Sequence, residues 1–213
     1  MLAKQMIKTS CLLGAFAVIA TVLITFTYHR TADEIAAQDR AFLLRSIQAL
    51  IPPSSFDNDL YSDTVAVTDP DLLGSREPVR VYRARKHGKP VAVAMEPVAP
   101  DGYSGDITLL MAIAYDGTLL GVRVVNHQET PGLGDAIEIT KSDWITEFNG
   151  RSLSNLNGSQ WHVKKDGGVF DQFTGATITP RAVVKAVHKC LQYYAKHHER
   201  LFARASNKAI SHG

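Results

Sequence analysis

Residues 106–127, DITLLMAIAYDGTLLGVRVVNH, carry the pattern that decides the fold of this chain. Two apolar runs of strand length flank the Asp-Gly-Thr triplet at 116–118, and Asp-Gly between such runs is a strong signal for a β-hairpin. An earlier stretch repeats the pattern, because VRVYRAR (79–85) and PVAVAMEPV (90–98) flank KHGK at 86–89. The sequence therefore predicts a meander of at least four antiparallel strands.

Helical patterns lie on both sides of the meander in the sequence. Residues 33–51 have apolar side chains at helical spacing and stop at a Pro-Pro pair, which indicates an amphipathic helix. Residues 54–78 are rich in Asp, Ser and Pro and predict an irregular connector. A second helix is predicted over 179–202, with Thr179 as N-cap and Pro180 at the first helical position. The fold class is thus α+β, an antiparallel β-meander packed with helices.

The N-terminal part of the chain has the length and composition of a membrane anchor. Residues 9–28, TSCLLGAFAVIATVLITFTY, contain no charged side chain, and a helix of this length spans the roughly 30 Å hydrocarbon core. The run ends without the small-residue cleavage site of a signal peptide. Lys4 and Lys8 precede it, so the positive-inside rule places the short N-terminal tail in the cytoplasm and the chain after Arg30 outside. A single transmembrane helix is predicted.

The composition excludes other classes of function. The 213 residues are 45% hydrophobic, which suffices for one main domain. Lys and Arg total 23 against 21 Asp and Glu, so no broad basic surface for nucleic acid is predicted. Cys11 and Cys190 are too far apart in sequence for a CxxC-type motif, and the histidines of KHHER at 196–200 are typical of a solvated helix end. No metal site is predicted.

A first candidate site segment is NHQETPGLGDAIE, residues 126–138, directly after the fourth predicted strand. Its proline and glycines allow the backbone to turn and to approach a neighbouring group closely, while Glu129 and Thr130 supply polar side chains. A Pro-Gly loop after a strand is usually only a turn. This segment alone therefore leaves the structural and the functional interpretation open.

A second candidate segment is DQFTGATITP, residues 171–180, which places three threonines just before the predicted helix. A structural interpretation accounts for most of it, since Gly175 permits an unusual backbone angle and Thr179-Pro180 starts the helix. It gives no role to Thr177. A helix N-terminus offers unpaired N–H groups and partial positive charge, so Thr177 is well placed to meet a phosphate.

The two motifs together, HQETPGLGD followed by DQFTGAT behind one N-terminal anchor, resemble the FMN-binding domain family. Within that family the chain is most similar to the branch of G subunits from Rnf (also called Rsx) electron transport complexes. A related branch, the C subunits of sodium-pumping NADH:quinone reductases, carries the same second motif but is usually longer. The resemblance covers essentially the whole chain.

The resemblance implies that FMN is attached covalently. In the family the motif D-x-x-[ST]-G-A-T directs a flavin transferase to form a phosphoester on the final threonine, which is Thr177 here. It also implies that the transferase recognises Asp171 and Thr174, and that Gly175 and Ala176 are small enough to give it access. The redox chemistry belongs to the cofactor, so no residue of this chain is expected to be catalytic.

By the same analogy, the first motif approaches the isoalloxazine ring. The contacts it implies come from Glu129, Thr130, Gly132 and Leu133, with backbone groups addressing ring heteroatoms and Leu133 packing on the ring face. Such contacts tune the redox potential of the flavin.

The expected function is that of an electron-transfer subunit within a multisubunit, ion-translocating complex of the bacterial inner membrane, with its C-terminal domain in the periplasm. Expected partners are the membrane, the other membrane subunits of an Rnf-type complex and the flavin transferase, but not nucleic acid. The expected division of the chain is a cytoplasmic tail (1–8), an anchor (9–28), an amphipathic helix and connector (29–78), an FMN-binding domain (79–202) and a C-terminal tail (203–213).

Two alternatives remain open from the residues alone. One is a non-redox module, either a tethered scaffold or a reversible binder of a phosphorylated ligand, which would not need the complete D-x-x-T-G-A-T motif. The other makes Thr177 a hydrolytic nucleophile with His127 as its base. This second alternative lacks both a G-x-S-x-G turn and an N-terminal threonine.

Overall fold

A computed structural model describes residues 2–203, apart from the side chains at 2, 3, 29, 33, 36 and 39. The chain divides into two compact units at Leu43/Leu44. Its helices are α1 (Leu2–Leu50), α2 (Pro70–Leu73) and α3 (Ile178–Ala203). Its strands are β1 (Thr64–Val67), β2 (Val79–Lys86), β3 (Lys89–Met95), β4 (Val98–Ala99), β5 (Ile107–Ala114) and β6 (Leu119–Asn126).

Helix α1 is a single element of 49 residues. Sequence patterning predicts an anchor at 9–28 and a separate amphipathic helix at 33–51, but no proline or glycine lies between Tyr28 and Leu50 to end the first one. Residues Lys4–Ala32 are long and apolar enough to cross a membrane, by length and composition. The side chains from Lys4 to Tyr28 are exposed. The prediction of an N-terminal apolar helix is confirmed.

The second unit is built on a six-stranded antiparallel sheet with strand order β1-β2-β3-β5. Both β4 and β6 also pair with β5. Because β6 takes one edge of β5, the short β4 shares the other edge with β3. The predicted hairpins are present as β2–β3 and β5–β6, and the α+β fold class is confirmed.

The turn of the first hairpin explains why the pairing of β2 with β3 could be predicted from the sequence. His87 and Gly88 both have positive φ, +51° and +74°, as a two-residue type I′ hairpin turn requires. The sequence supplies glycine at one of these positions, where the left-handed conformation costs least.

The main core lies between one face of the sheet and α3. Successive strands contribute Val81, Met95, Met111 and Val122 to this face, and all four side chains are fully buried. Apolar side chains along α3 pack onto them, as the pattern of an amphipathic helix predicts.

The opposite face of the sheet carries small side chains where the last turn of α1 is buried. Ala94, Ala112 and Gly121 stand side by side on neighbouring strands. A Cβ atom at Gly121 would lie only 2.7 Å from Leu50 Cδ2, so a larger residue at this position would displace the Leu50 side chain. Ile47 and Ile51 are fully buried as well.

The C-terminal end of α3 is held by two arginines of β2. Arg83 Nη1 donates to the Leu201 carbonyl at 2.9 Å, and Arg85 Nη2 donates to the Phe202 carbonyl at 2.9 Å. Both arginines also form ion pairs with Asp63. The last carbonyls of a helix lack intrahelical partners, so these contacts satisfy groups that would otherwise be buried unpaired.

The outer edge of β6 is partly covered by the turn that follows residues 143–148. Leu119 N donates to the Arg151 carbonyl, and Gly150 N donates to the Leu119 carbonyl, each at 2.8 Å. Residues 143–148, just before this turn, contribute Trp144 and Phe148 to the core.

Two local expectations are wrong. The segment 54–78 is not an irregular connector throughout, because β1 pairs with β2 along the edge of the sheet and α2 follows it. Helix α3 begins at Ile178, so Thr179 lies inside its first turn rather than at the N-cap. Proline is tolerated at the third position of α3 because the first four N–H groups of a helix have no intrahelical acceptor.

Candidate functional site

Three segments that are distant in sequence meet around one cavity of about 360 Å³. They are the loop before β5, the loop after β6, and the turn that leads into α3. This volume lies within the range of small-molecule and cofactor pockets. The lining residues are Tyr103, Glu129, Thr130, Leu133, Gly134, Gly175, Ala176, Thr177, Ile178 and Thr179.

Glu129 joins all three segments. Its side chain is buried, and Oε1 accepts a hydrogen bond from Ser104 N at 3.0 Å. Its other oxygen, Oε2, accepts from the Thr179 hydroxyl at 2.5 Å. Because both carboxylate oxygens have protein donors, the burial cost of this polar group is offset.

Two glycines leave room for the Glu129 carboxylate. A Cβ atom at Gly102 would lie 2.9 Å from Oε1, and one at Gly134 would lie 2.7 Å from Oε2 and 2.9 Å from Thr179 Oγ1. Gly102 and Gly134, one glycine from each of the PDGYSG and PGLGD stretches, therefore serve close packing around this carboxylate.

His127 holds the segment that follows β6 in place through hydrogen bonds. Its Nδ1 accepts a hydrogen bond from Glu129 N at 3.0 Å, so the proton of the neutral ring lies on Nε2, which donates to Glu138 at 2.9 Å. The hydrogen bond from His127 holds the pKa of the Glu138 carboxyl below its ordinary value. Both ring nitrogens are thus engaged away from Thr177, and the arrangement offers no support for a hydrolytic His127–Thr177 pair.

The three threonines of DQFTGATIT have different environments. Thr179 is fully buried, and its hydroxyl is committed to Glu129. Thr174 is exposed and does not line the cavity. Thr177 is partly buried, lines the cavity and immediately precedes α3. Among these three hydroxyls, that of Thr177 alone combines access from the cavity with a position at the helix N-terminus.

A tight turn presents Thr177 to the cavity. Ala176 N donates to the Phe173 carbonyl at 3.3 Å, and Gly175 has φ +84°, in the left-handed region that favours glycine. A Cβ atom at Gly175 would also meet Leu133 Cδ2 at 3.4 Å, so the turn and the first motif are in contact range.

Asp171, at the start of this segment, is fixed from several sides. Its carbonyl accepts from Trp144 Nε1 at 2.8 Å, its N–H donates to Glu147 at 3.2 Å, and its carboxylate pairs with Lys164 at 2.5 Å. Burial raises the pKa of the Glu147 carboxyl. Asp171 is exposed and lies outside the cavity lining, at the outer surface of the motif.

The chemistry of the cavity suits a flavin nucleotide. Leu133, Ile178 and Tyr103 are large, exposed side chains on its walls, which fit a flat and largely apolar ring. At the same cavity the unpaired N–H groups and dipole of a 26-residue helix favour an anionic phosphate. The residues present therefore fit FMN, with its ring against the apolar walls and its phosphate near the start of α3.

Most of the residues that the sequence predicted for the site line the cavity. Glu129, Thr130, Leu133, Gly175, Ala176 and Thr177 line the cavity, whereas Gly132, Asp171 and Thr174 do not. Sequence reasoning missed Tyr103, Gly134 and Ile178, and assigned Thr179 only to a helix cap. The second glycine of PGLG was a usable signal for Gly134, but no local pattern marks Tyr103.

Comparison with known proteins agrees with this geometry. The FMN-binding domain family matches residues 102–192, and the RnfG N-terminal region matches residues 1–50. The chain is 46% identical over 209 residues to the G subunit of the ion-translocating oxidoreductase complex from Shewanella baltica, covering 98% of this chain and 99% of that protein. It is 48% identical over 209 residues to the corresponding G subunit from Pseudoalteromonas atlantica, with 98% and 97% covered.

A third relative, the G subunit of the same kind of complex from Vibrio cholerae, is 47% identical over 194 residues, which cover 91% of this chain and 92% of that protein. Each of these matches spans both the N-terminal helix and the domain that holds the cavity. At this identity and coverage, similarity extends to the whole architecture. The chain therefore belongs to the family of G subunits of ion-translocating oxidoreductase complexes, whose FMN-binding domain contains the cavity described above.

Proposed function

We propose that this chain is an electron-transfer subunit of an ion-translocating, Rnf-type complex and carries FMN covalently through a phosphoester to Thr177. The observation that carries the proposal is the position of Thr177, whose side chain lines the cavity immediately before α3. Membership in this family of G subunits and the match to the FMN-binding domain support the cofactor and the class of function.

The bound FMN would supply the redox chemistry by accepting and releasing electrons. The chain's own residues would bind and orient it. In the proposed arrangement, Leu133 and Tyr103 flank the ring, and the first turn of α3 offsets charge on the phosphate. Thr177 would hold the cofactor permanently, which suits a domain outside the cytoplasm, where a lost flavin is not readily replaced.

Attachment of FMN requires a second protein. Forming the phosphoester joins the Thr177 oxygen to the phosphorus of an activated flavin nucleotide, while the bond from that phosphorus to its leaving group breaks and the hydroxyl proton is released. The chain thereby gains the mass of FMN less one water. Within residues 2–203 no hydrogen bond joins Thr177 to a basic side chain, and His127 is engaged with Glu129 and Glu138. We therefore propose that a flavin transferase performs this step and recognises the exposed Asp171 and Thr174 beside the small Gly175 and Ala176.

The proposed location is the bacterial inner membrane, crossed once by the N-terminal helix. Its support is the apolar run within Lys4–Ala32, together with Lys4 and Lys8 on its N-terminal side. In this arrangement residues 1–8 are cytoplasmic and the FMN-binding domain is periplasmic. The proposed partners are the other membrane subunits of the complex.

The test is the intact mass of the full-length protein purified from a host that expresses the flavin transferase. We expect an added mass of one FMN less one water, mapped by peptide analysis to the segment that holds Thr177. Thr177→Ala should remove the adduct completely. Thr140→Ala, a matched change of an exposed threonine outside the cavity, should retain it.

An unmodified wild-type chain from such a host would overturn the proposal. It would favour the alternative of a tethered scaffold or of a module that binds a phosphorylated ligand reversibly. An adduct that persists in Thr177→Ala and maps to Thr174 would reject the assignment of the attachment site.

A further inference from the structure

Glu129 differs from the other acidic side chains near the cavity in how it is held. It lines the cavity but is only 4% exposed, and the described hydrogen-bond partners of its carboxylate, Ser104 N and the Thr179 hydroxyl, are uncharged. Within residues 2–203 no ion pair joins it to a cationic side chain. An ionised carboxylate in this position keeps its full negative charge at the cavity wall.

The geometry assigns Glu129 a role different from the ring contact that the family resemblance implies. Both of its oxygens are used by the protein, one at 3.0 Å and the other at 2.5 Å, and Gly102 and Gly134 close over them. The carboxylate is therefore fixed in position. A fixed charge in a partly buried site acts on neighbouring charge more strongly than one that water can screen.

We propose that Glu129 is a positioning residue whose fixed negative charge lowers the reduction potential of the flavin in this cavity. This inference rests on the proposed function, because it requires FMN on Thr177. Each electron that enters the flavin without a compensating proton adds one negative charge beside Glu129. The carboxylate disfavours that charge, so reduction becomes harder.

The test uses the full-length flavinylated protein and its midpoint potential, measured by spectroelectrochemical titration with dithionite as reductant and ferricyanide as oxidant. Glu129→Gln keeps the shape of the side chain and removes its charge, so the midpoint potential is expected to rise. Glu138→Gln is the matched control. Glu138 is linked to the same segment through His127 but does not line the cavity, so its removal should shift the potential clearly less.

A second variant separates charge from structure. Glu129→Asp keeps the carboxylate but shortens it, so it weakens the hydrogen bonds to Ser104 and Thr179 and is expected to leave the potential close to that of the wild type. If Glu129→Gln does not fold, the test rests on Glu129→Asp. A clear rise in the midpoint potential of Glu129→Asp, which keeps the carboxylate, would contradict a role of the charge. An equal rise in Glu129→Gln and Glu129→Asp would also overturn the inference.

Mass analysis keeps the two proposals apart. Each variant is first checked for the FMN adduct on Thr177. Absence of the adduct from the wild-type protein would mean that the proposed function has failed. An adduct present in the wild type and in Glu129→Gln, with equal potentials, would mean that only the inference about Glu129 has failed.

Discussion

Arg83, a residue of β2, donates a hydrogen bond to the carbonyl of Leu201 at the far end of α3, 118 residues later in the chain. Its guanidinium is almost completely buried and forms an ion pair with Asp63. The contact ties the second strand of the sheet to α3, whose other end directly follows Thr177. Stability of the sheet and position of the site are thus linked through one helix.

Arg83→Met is expected to destabilise the second unit by about 3 kcal/mol, because it removes one partner of a buried ion pair and leaves a helix carbonyl without its donor. Asp63 keeps Arg85 as a partner, which places the loss at the lower end of the range for such pairs. Urea unfolding followed by tryptophan fluorescence measures it, since both tryptophans, Trp144 and Trp161, lie in this unit. Lys89→Met, at the exposed first residue of the neighbouring strand β3, should change the free energy of unfolding by less than about 0.5 kcal/mol.

Gly134→Ala is expected to destabilise the fold by about 1 to 3 kcal/mol, because the new Cβ would lie 2.7 Å from Glu129 Oε2 and 2.9 Å from Thr179 Oγ1. Thermal unfolding of the full-length protein measures the effect. Gly158→Ala is the control, since a Cβ at that position meets nothing within 4 Å. Equal melting temperatures for the two variants would contradict the close packing around Glu129.

The stability of the protein is expected to fall as the pH drops below about 6.5, the ordinary pKa of histidine, partly through His188. Burial, with a smaller contribution from His162, lowers the pKa of His188, whose ring stacks on Trp161 at 5.2 Å between centroids. The unfolded chain therefore binds the proton at higher pH than the folded one, so acidification favours unfolding.

His188→Phe keeps an aromatic ring on Trp161 and should flatten the stability profile between this pH and the lowered pKa of His188. The measurement is the free energy of urea unfolding at a series of pH values. His87→Asn is the control, because His87 is exposed and asparagine tolerates its positive φ of +51°. Parallel profiles for the wild type and His188→Phe would show that His188 is not responsible.

Cys190 is expected to resist thiol reagents in the folded protein. It is fully buried on α3, and burial raises the pKa of its thiol to about 12. Relative to an ordinary thiol, this shift alone lowers the reactive thiolate at neutral pH about 1,000-fold. The measurement is the rate of iodoacetamide labelling in a Cys11→Ser background, before and after unfolding. Similar rates in both states would contradict the burial of Cys190.

Much of the fold was readable from sequence because its signals are local. The His87-Gly88 turn and the Asp116-Gly117 pair fix two hairpins through backbone conformation alone. The edge strand Thr64–Val67 was missed because four residues carry too little alternation to stand out from a polar segment. Its pairing with β2 is a tertiary effect that the local sequence does not encode.

The candidate site could be predicted only in part, because some of its contacts are likewise tertiary. Thr177 belongs to the DQFTGAT motif and Glu129 to the HQETPGLGD motif, so both could be predicted as site residues. The hydrogen bond between Glu129 and Thr179 spans 50 residues and depends on how α3 meets the sheet. Tyr103 enters the cavity because its loop precedes β5 at the same edge of the domain. Such contacts follow from topology rather than from spacing.

The two hydrogen bonds that Leu119 exchanges with Gly150 and Arg151 bear on how the domain meets its neighbours. A free strand edge invites a second chain to add as a further strand. Here the protein's own turn already occupies the start of β6. We therefore expect that no strand of a neighbouring subunit adds at the start of β6, and that neighbouring subunits meet this part of the domain through side chains.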